Sequence, residues 1–156
     1  MNRTLAILLL CFNISIFSNE KEAILEDFSS DNCSSFPNGT FSQKDLWKDC
    51  CIIHDISYWM GGTKEERKRA DKELGQCVGS KGRKLLSIIM PIGVQIGGSP
   101  FFPTPWRWGY GWQNRKGYQE LNEDEKEVVF ESLLMSDFYD EVLLKEGAEK
   151  RGIEIP

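Results

Sequence analysis

The chain has 156 residues, of which 40% are hydrophobic and 28% charged, and its formal net charge is −5. This length and apolar fraction predict one folded domain and exclude a disordered or fibrous chain. The acidic excess excludes a broadly basic surface for a phosphate backbone or for anionic lipid, so no nucleic-acid partner is expected.

The amino terminus has the composition of a secretory signal. One basic residue, Arg3, precedes an apolar run over residues 5–17 that is too short to span a bilayer. We predict that residues 1–18 are a signal peptide cleaved after Ser18, which leaves a single domain over residues 19–156. A buried amphipathic helix is the alternative interpretation. The signal predicts an extracytoplasmic protein, either secreted or periplasmic.

Cysteine is the most informative residue type in this chain. Five cysteines are present, and removal of the predicted signal removes Cys11 and leaves an even number. An even number in an oxidising compartment predicts two disulfides. The four remaining cysteines are Cys33, Cys50, Cys51 and Cys77.

Two helices are predicted in the first half of the mature chain. Over residues 45–60 apolar and cysteine positions recur at helical spacing, up to the glycine pair at 61–62. Thr63, with Glu66 three residues later, forms a capping box that opens a second helix over residues 64–78. The predicted inward stripe of this second helix is Ala70, Leu74 and Cys77.

The second half is less regular but contains no repeat and no long linker, so the predicted fold class is mainly α. Residues 84–96 are apolar but contain Pro91, which predicts a kinked helix or two short elements. Residues 99–118 lack a period and are rich in aromatic side chains. Residues 124–145 predict one last acidic amphipathic helix. Its predicted inward residues are Val128, Leu133, Leu134, Phe138 and Leu143.

A histidine and a carboxylate are adjacent on the first predicted helix. His54 is the only histidine of the chain, and a histidine held in place is a competent general base for water because it titrates near neutrality. The carboxylate of Asp55 offers hard oxygens suited to Ca²⁺. Asp71 lies between the two helices if their inner faces meet, where it would accept a hydrogen bond from the far ring nitrogen of His54.

The run CCxxHD on this helix, with Tyr58 four residues after the histidine, resembles the catalytic helix of secreted, Ca²⁺-dependent phospholipase A2 enzymes. The second catalytic aspartate of that family stands six residues before a cysteine, as Asp71 does before Cys77. Many members have another disulfide, whose two cysteine positions correspond to Ser57 and Ala70 in this chain. Both cysteines of that pair are therefore absent here. The overall character suggests a divergent, bacterial branch of the superfamily.

The resemblance covers residues 33–78 and carries an expectation about the fold. It implies a mainly α, phospholipase A2-like domain with two disulfide-linked antiparallel catalytic helices, additional helices and an aromatic-rich loop segment. It also implies the disulfide pairs Cys33–Cys51 and Cys50–Cys77.

The resemblance further implies a reaction and its residues. His54 would activate a water that attacks the sn-2 ester of a glycerophospholipid, with Asp71 orienting the imidazole and Tyr58 bonding to Asp71. Asp55 would hold Ca²⁺ against the phosphate and the developing oxyanion. The family's glycine-rich calcium loop is absent, so backbone carbonyls near Cys33 are the expected further ligands. These carbonyls are those of Asn32, Ser34 and Phe36.

The partner implied is a phospholipid membrane or micelle surface as substrate, whereas no protein partner is indicated. One alternative is a zinc site built from Cys50, Cys51, His54 and Cys77, whose side-chain types permit it. Another is a phospholipase-like protein that has lost catalysis and acts as a binding protein or toxin subunit.

Two further segments are interpreted by composition. The aromatic side chains of residues 99–118 suit either a membrane interface or a buried layer around the helices. The charge run over residues 64–69 predicts a solvated helix face.

Overall fold

Five helices make up the regular structure of the part of the chain that the computed structural model describes, residues 24–156. No strand occurs among those residues, apart from an isolated bridge between Leu25 and Trp112. The helices are α1 Lys48–Met60, α2 Lys64–Ser80, α3 Leu86–Gly97, α4 Glu123–Leu134 and α5 Glu141–Glu149. The mainly α fold class is confirmed, while the predicted signal over residues 1–18 lies outside the described residues. None of the described helices is long and apolar enough to cross a membrane.

Helix α1 is the central helix and contacts α2 on one side and α5 on another. Its fully buried apolar residues are Ile52, Ile56, Trp59 and Met60. Burial of side chains of this size stabilises the fold by roughly 1.5–3 kcal/mol each. Helix α5 approaches α1 closely because Gly147 has no side chain. A Cβ at this position would lie 2.5 Å from Ile56 Cδ1. Packing from both sides therefore fixes the position of α1.

Helix α2 begins with the predicted capping box. The Thr63 hydroxyl accepts from the Glu66 backbone N–H, and the Glu66 carboxylate accepts from the Thr63 backbone N–H. The helix runs to Ser80, two residues beyond the predicted end. A Cβ at Gly75 would lie 2.6 Å from the carbonyl oxygen of Ser87, so the absence of a side chain there lets α3 pack closely on α2.

The apolar segment predicted as a kinked helix or two short elements forms one helix, α3, with Pro91 inside it. Proline removes one helical hydrogen bond. A Cβ at Gly75 of α2 would lie 2.8 Å from Pro91 Cγ, so the proline ring belongs to the contact between the two helices.

The single last helix predicted over residues 124–145 is wrong, because two helices, α4 and α5, occupy this region. The chain leaves helical geometry after Leu134 and re-enters at Asp140, whose side chain accepts from the Leu143 backbone N–H at 3.1 Å. This local cap competes with helix continuation. Leu134, predicted to point inward, is 54% exposed.

The aromatic segment divides into a buried and an exposed part, so neither interpretation holds for all of it. Trp108 and Trp112 are buried, and their indole N–H groups donate to the carbonyls of Gly62, two residues after α1, and Met60, the last residue of α1. The exposed members are Phe101, Phe102 and Trp106.

Candidate active site

Two disulfides fix α1 to its neighbours. Cys50–Cys77 joins α1 to α2, and Cys33–Cys51 joins α1 to the preceding loop. These are the pairs that the phospholipase resemblance implied. They also leave no thiolate on Cys50, Cys51 or Cys77, so the alternative zinc site is not formed.

Helices α1 and α2 bring His54, Tyr58 and Asp71 together in the interior. His54 Nε2 lies 3.0 Å from Asp71 Oδ1, and the Tyr58 hydroxyl donates to the same oxygen at 2.7 Å. Asp71 is 0% exposed and His54 is 6% exposed. Because the Nε2–H donates to a carboxylate, the neutral imidazole keeps its lone pair on Nδ1.

The buried carboxylates change the protonation of this group. Burial opposes the charged form of His54, but the hydrogen bonds and charges of Asp55 and Asp71 outweigh it and raise the pKa of His54 above its ordinary value. Burial and the charge of Asp71 raise the pKa of Tyr58, so the phenol stays protonated and remains a donor to Asp71. The arrangement stabilises an imidazolium at His54.

Arg67 is a component of this network that the sequence did not reveal. It belongs to the charge run predicted as a solvated face, yet it is 7% exposed. Its Nε donates to the Tyr58 hydroxyl at 3.0 Å, and its Nη1 donates to the Tyr118 hydroxyl. Its Nη2 donates to the carbonyls of Val94 and Gln95 at 3.0 and 2.7 Å. The guanidinium therefore links Tyr58, the hydrogen-bond partner of Asp71, to the end of α3.

The only sequence feature that connects Arg67 with the site is its spacing. It lies four residues before Asp71 and therefore shares a face of α2 with it. The sequence contains seven arginines, and nothing beyond this shared face singles out Arg67 until the fold is known.

We expect Arg67→Met to lower the free energy of unfolding by about 2–4 kcal/mol, because two carbonyls and two hydroxyls lose a charged donor in the interior. The measurement is urea unfolding followed by circular dichroism. Arg69→Met is the matched control, because the Arg69 side chain is 52% exposed and pairs only weakly with Glu66. A loss no larger for Arg67→Met than for Arg69→Met would contradict this role.

Asp55 lies beside the free nitrogen of the histidine. Its Oδ1 is 3.8 Å from His54 Nδ1, and its Oδ2 accepts a hydrogen bond from the Ser30 hydroxyl at 2.5 Å. Burial raises the pKa of Asp55, against the hydrogen bond and charge of His54. Across the part of the chain that is described, no lysine or arginine forms a salt bridge with Asp55. While His54 is neutral, a bound cation would supply a counter-charge for this carboxylate.

The loop predicted to supply calcium ligands lies beside Asp55. Asn32, Ser34 and Phe36 line the same cavity as Asp55 and His54. The Ser34 carbonyl also accepts from the Phe36 backbone N–H, so it is partly occupied. Residues 24–156 contain no cluster of three or more His, Cys, Asp or Glu side chains able to hold a metal. One carboxylate and several backbone carbonyls provide only oxygen donors, which is the ligand type that Ca²⁺ prefers.

The cavity next to the histidine has a volume of about 230 Å³. His54 and Asp55 form its polar end. Its apolar walls come from the loop, α2, α3 and the aromatic segment. They are Phe36, Leu74, Met90, Val94 and Trp106. A cavity with one polar end and apolar walls accommodates a molecule with a reactive polar group and a hydrocarbon chain.

Comparisons of this chain with protein-family models, curated proteins and solved structures found no match. The geometry around His54 and the sequence resemblance are therefore the grounds for assigning a function.

Proposed function

We propose that the protein is a secreted or periplasmic, Ca²⁺-dependent phospholipase A2-like hydrolase that cleaves the sn-2 acyl ester of glycerophospholipids. The observation that carries the proposal is the pairing of His54 Nε2 with the fully buried Asp71, which leaves Nδ1 as the basic nitrogen beside Asp55. A water activated there needs no nucleophilic side chain.

The chain's own residues account for the proton movements of such a reaction. His54 Nδ1 takes a proton from water as the water oxygen bonds to the ester carbonyl carbon. The imidazolium is stabilised by Asp71, and Tyr58 holds that carboxylate in place. When the bond to the glycerol oxygen breaks, the same proton passes from Nδ1 to that oxygen. The products are a free fatty acid and a lysophospholipid.

Calcium has a defined place in this proposal. The carboxylate of Asp55 would hold the ion with carbonyls from Asn32, Ser34 and Phe36, and the ion would supply positive charge for the substrate phosphate and the oxyanion. The apolar walls of the cavity would hold an acyl chain and exclude water from it.

The test of the function is release of fatty acid from phospholipid vesicles by the purified protein in the presence of Ca²⁺. We expect release above the uncatalysed background. Absence of release from phosphatidylcholine and phosphatidylglycerol vesicles at every Ca²⁺ concentration would contradict the proposal. Binding of vesicles without release would support the alternative of a catalytically inactive binding protein.

Removal of calcium is a separate prediction. Addition of the chelator EGTA is expected to lower release to background, and excess Ca²⁺ is expected to restore it, whereas Mg²⁺ is not, because Mg²⁺ demands a tighter octahedral site. Asp55→Asn is expected to weaken the response to Ca²⁺. Unchanged release in EGTA would contradict a role for Ca²⁺ in the reaction and for Asp55 as its ligand.

A further inference from the structure

Helix α3 leaves a row of apolar side chains in solvent. They follow the helical spacing of one face, and the loop tryptophan Trp106 lies next to the end of that helix, 3.4 Å from the position of a Cβ on Gly97. We call this surface the α3 patch. It comprises Leu85, Ile88, Ile89, Ile92, Ile96 and Trp106, each between 40% and 70% exposed.

The opposite side of α3 explains why these side chains cannot turn inward. Met90 is 2% exposed, and the close approach at Gly75 presses Ser87 and Pro91 against α2. The helix is therefore anchored by one narrow face, and the isoleucines stay outside. Exposed apolar side chains grouped in this way mark an interaction surface.

Charge indicates the partner. Residues 81–119 contain six basic and no acidic residues, although the whole chain has a net charge of −5. Three of the basic residues, Lys81, Arg83 and Lys84, are exposed directly before Leu85. Among the described residues, none of these three has a salt-bridge partner. An apolar face bordered by cations that form no salt bridge with any described residue fits the surface of an anionic bilayer.

We infer that the α3 patch, with its basic border, docks the protein on anionic phospholipid bilayers. Trp106 belongs to the α3 patch and also lines the His54 cavity, so docking places the cavity beside the lipid. The purpose of docking rests on the proposed function, but the docking itself does not.

The test measures binding without hydrolysis. The vesicles consist of ether-linked phosphatidylcholine, with or without about one third ether-linked phosphatidylglycerol. These lipids have no acyl ester to cleave, and sedimentation measures the bound fraction of the protein. We expect tighter binding to the anionic vesicles. Each basic residue near such a surface strengthens binding about fivefold, so Lys84→Glu is expected to weaken it by at least that factor. Ile88→Asp with Ile92→Asp is expected to weaken it by more than about tenfold.

Controls on α5 separate the patch from general effects. Val142→Asp replaces an apolar residue that is 74% exposed elsewhere, and Lys145→Glu reverses an exposed charge on the same helix. Both are expected to leave binding unchanged, and circular dichroism checks that every variant is folded. Equal binding to neutral and anionic vesicles, or equal losses in patch and control variants, would overturn the inference. So would a dimer, detected by light scattering, that the isoleucine variants dissociate, because a second copy would then cover the patch.

Failure of docking and failure of the proposed function give different results. Fatty-acid release without preferential binding to anionic ether lipids contradicts only the docking. Preferential binding that needs the α3 patch, without release from ester lipids, contradicts only the hydrolysis.

Discussion

His54→Gln is expected to lower fatty-acid release by about 10²–10⁴-fold, which is the range for loss of a general base. Glutamine has nearly the same reach and can still donate an N–H to Asp71. It has no basic nitrogen in place of Nδ1, so water is no longer deprotonated. The fold should persist, because the substitution preserves the hydrogen bond to the buried carboxylate. The measurements are initial rates on vesicles and the urea unfolding curve of each protein.

Tyr58→Phe is a second variant of the same site, with a smaller expected loss of activity. It removes the hydroxyl that donates to Asp71 at 2.7 Å but keeps the base, so a loss of about tenfold or less is expected. Release by His54→Gln at the wild-type rate would exclude the proposed mechanism. A larger loss in Tyr58→Phe than in His54→Gln would mean that the tyrosine, and not the histidine, is the essential group.

Cys50→Ala with Cys77→Ala is expected to lower the free energy of unfolding by about 3.5 kcal/mol. The crosslink closes a loop with a sequence separation of 27 residues, and the restriction it places on the unfolded chain gives this magnitude. It also joins the helix of His54 to the helix of Asp71. The double variant should therefore lose activity under conditions in which its helix content is still that of the wild-type protein. Urea unfolding and far-ultraviolet circular dichroism measure the two effects.

Cys33→Ala with Cys51→Ala is the matched comparison for that variant. Its crosslink spans 18 residues, so a similar loss of about 3 kcal/mol is expected. This pair holds the loop beside Asp55, and its removal should weaken the response to Ca²⁺ more than the Cys50 and Cys77 change does. Unchanged unfolding of either double variant would show that its disulfide does not stabilise the fold.

Local signals in the sequence predicted the elements that carry the site. The capping box at Thr63 and the glycine pair after α1 mark helix ends by short-range chemistry, and α1 ends and α2 begins where expected. The other two ends differ, because α1 begins three residues after the predicted start and α2 runs two residues past the predicted end. The i, i+4 spacing predicted that His54 and Tyr58 share one face of α1. Contact of His54 with Asp71 was expected only if the inner faces of the two helices met, and the bond from Tyr58 to Asp71 was implied by the family resemblance.

Features decided by tertiary packing were not predictable. Arg67 belongs to a run of charged residues, and only the neighbouring end of α3 gives its guanidinium carbonyl partners. The aromatic segment divides because two tryptophans find carbonyl partners, Met60 at the end of α1 and Gly62 just after it, whereas the Trp106 side chain packs beside Gly97 at the end of α3. The break before α5 depends on the Asp140 cap, a weak signal inside an acidic stretch.

The most direct measurement uses vesicles of phosphatidylglycerol with palmitate at sn-1 and oleate at sn-2. The protein is added with Ca²⁺, and mass spectrometry identifies the fatty acids released and the lysophospholipid that remains. Cleavage at sn-2 by the proposed mechanism gives free oleate and a lysophospholipid that retains palmitate, and His54→Gln is expected to produce neither. Release of palmitate in equal amount, or no release of either acid, would contradict it.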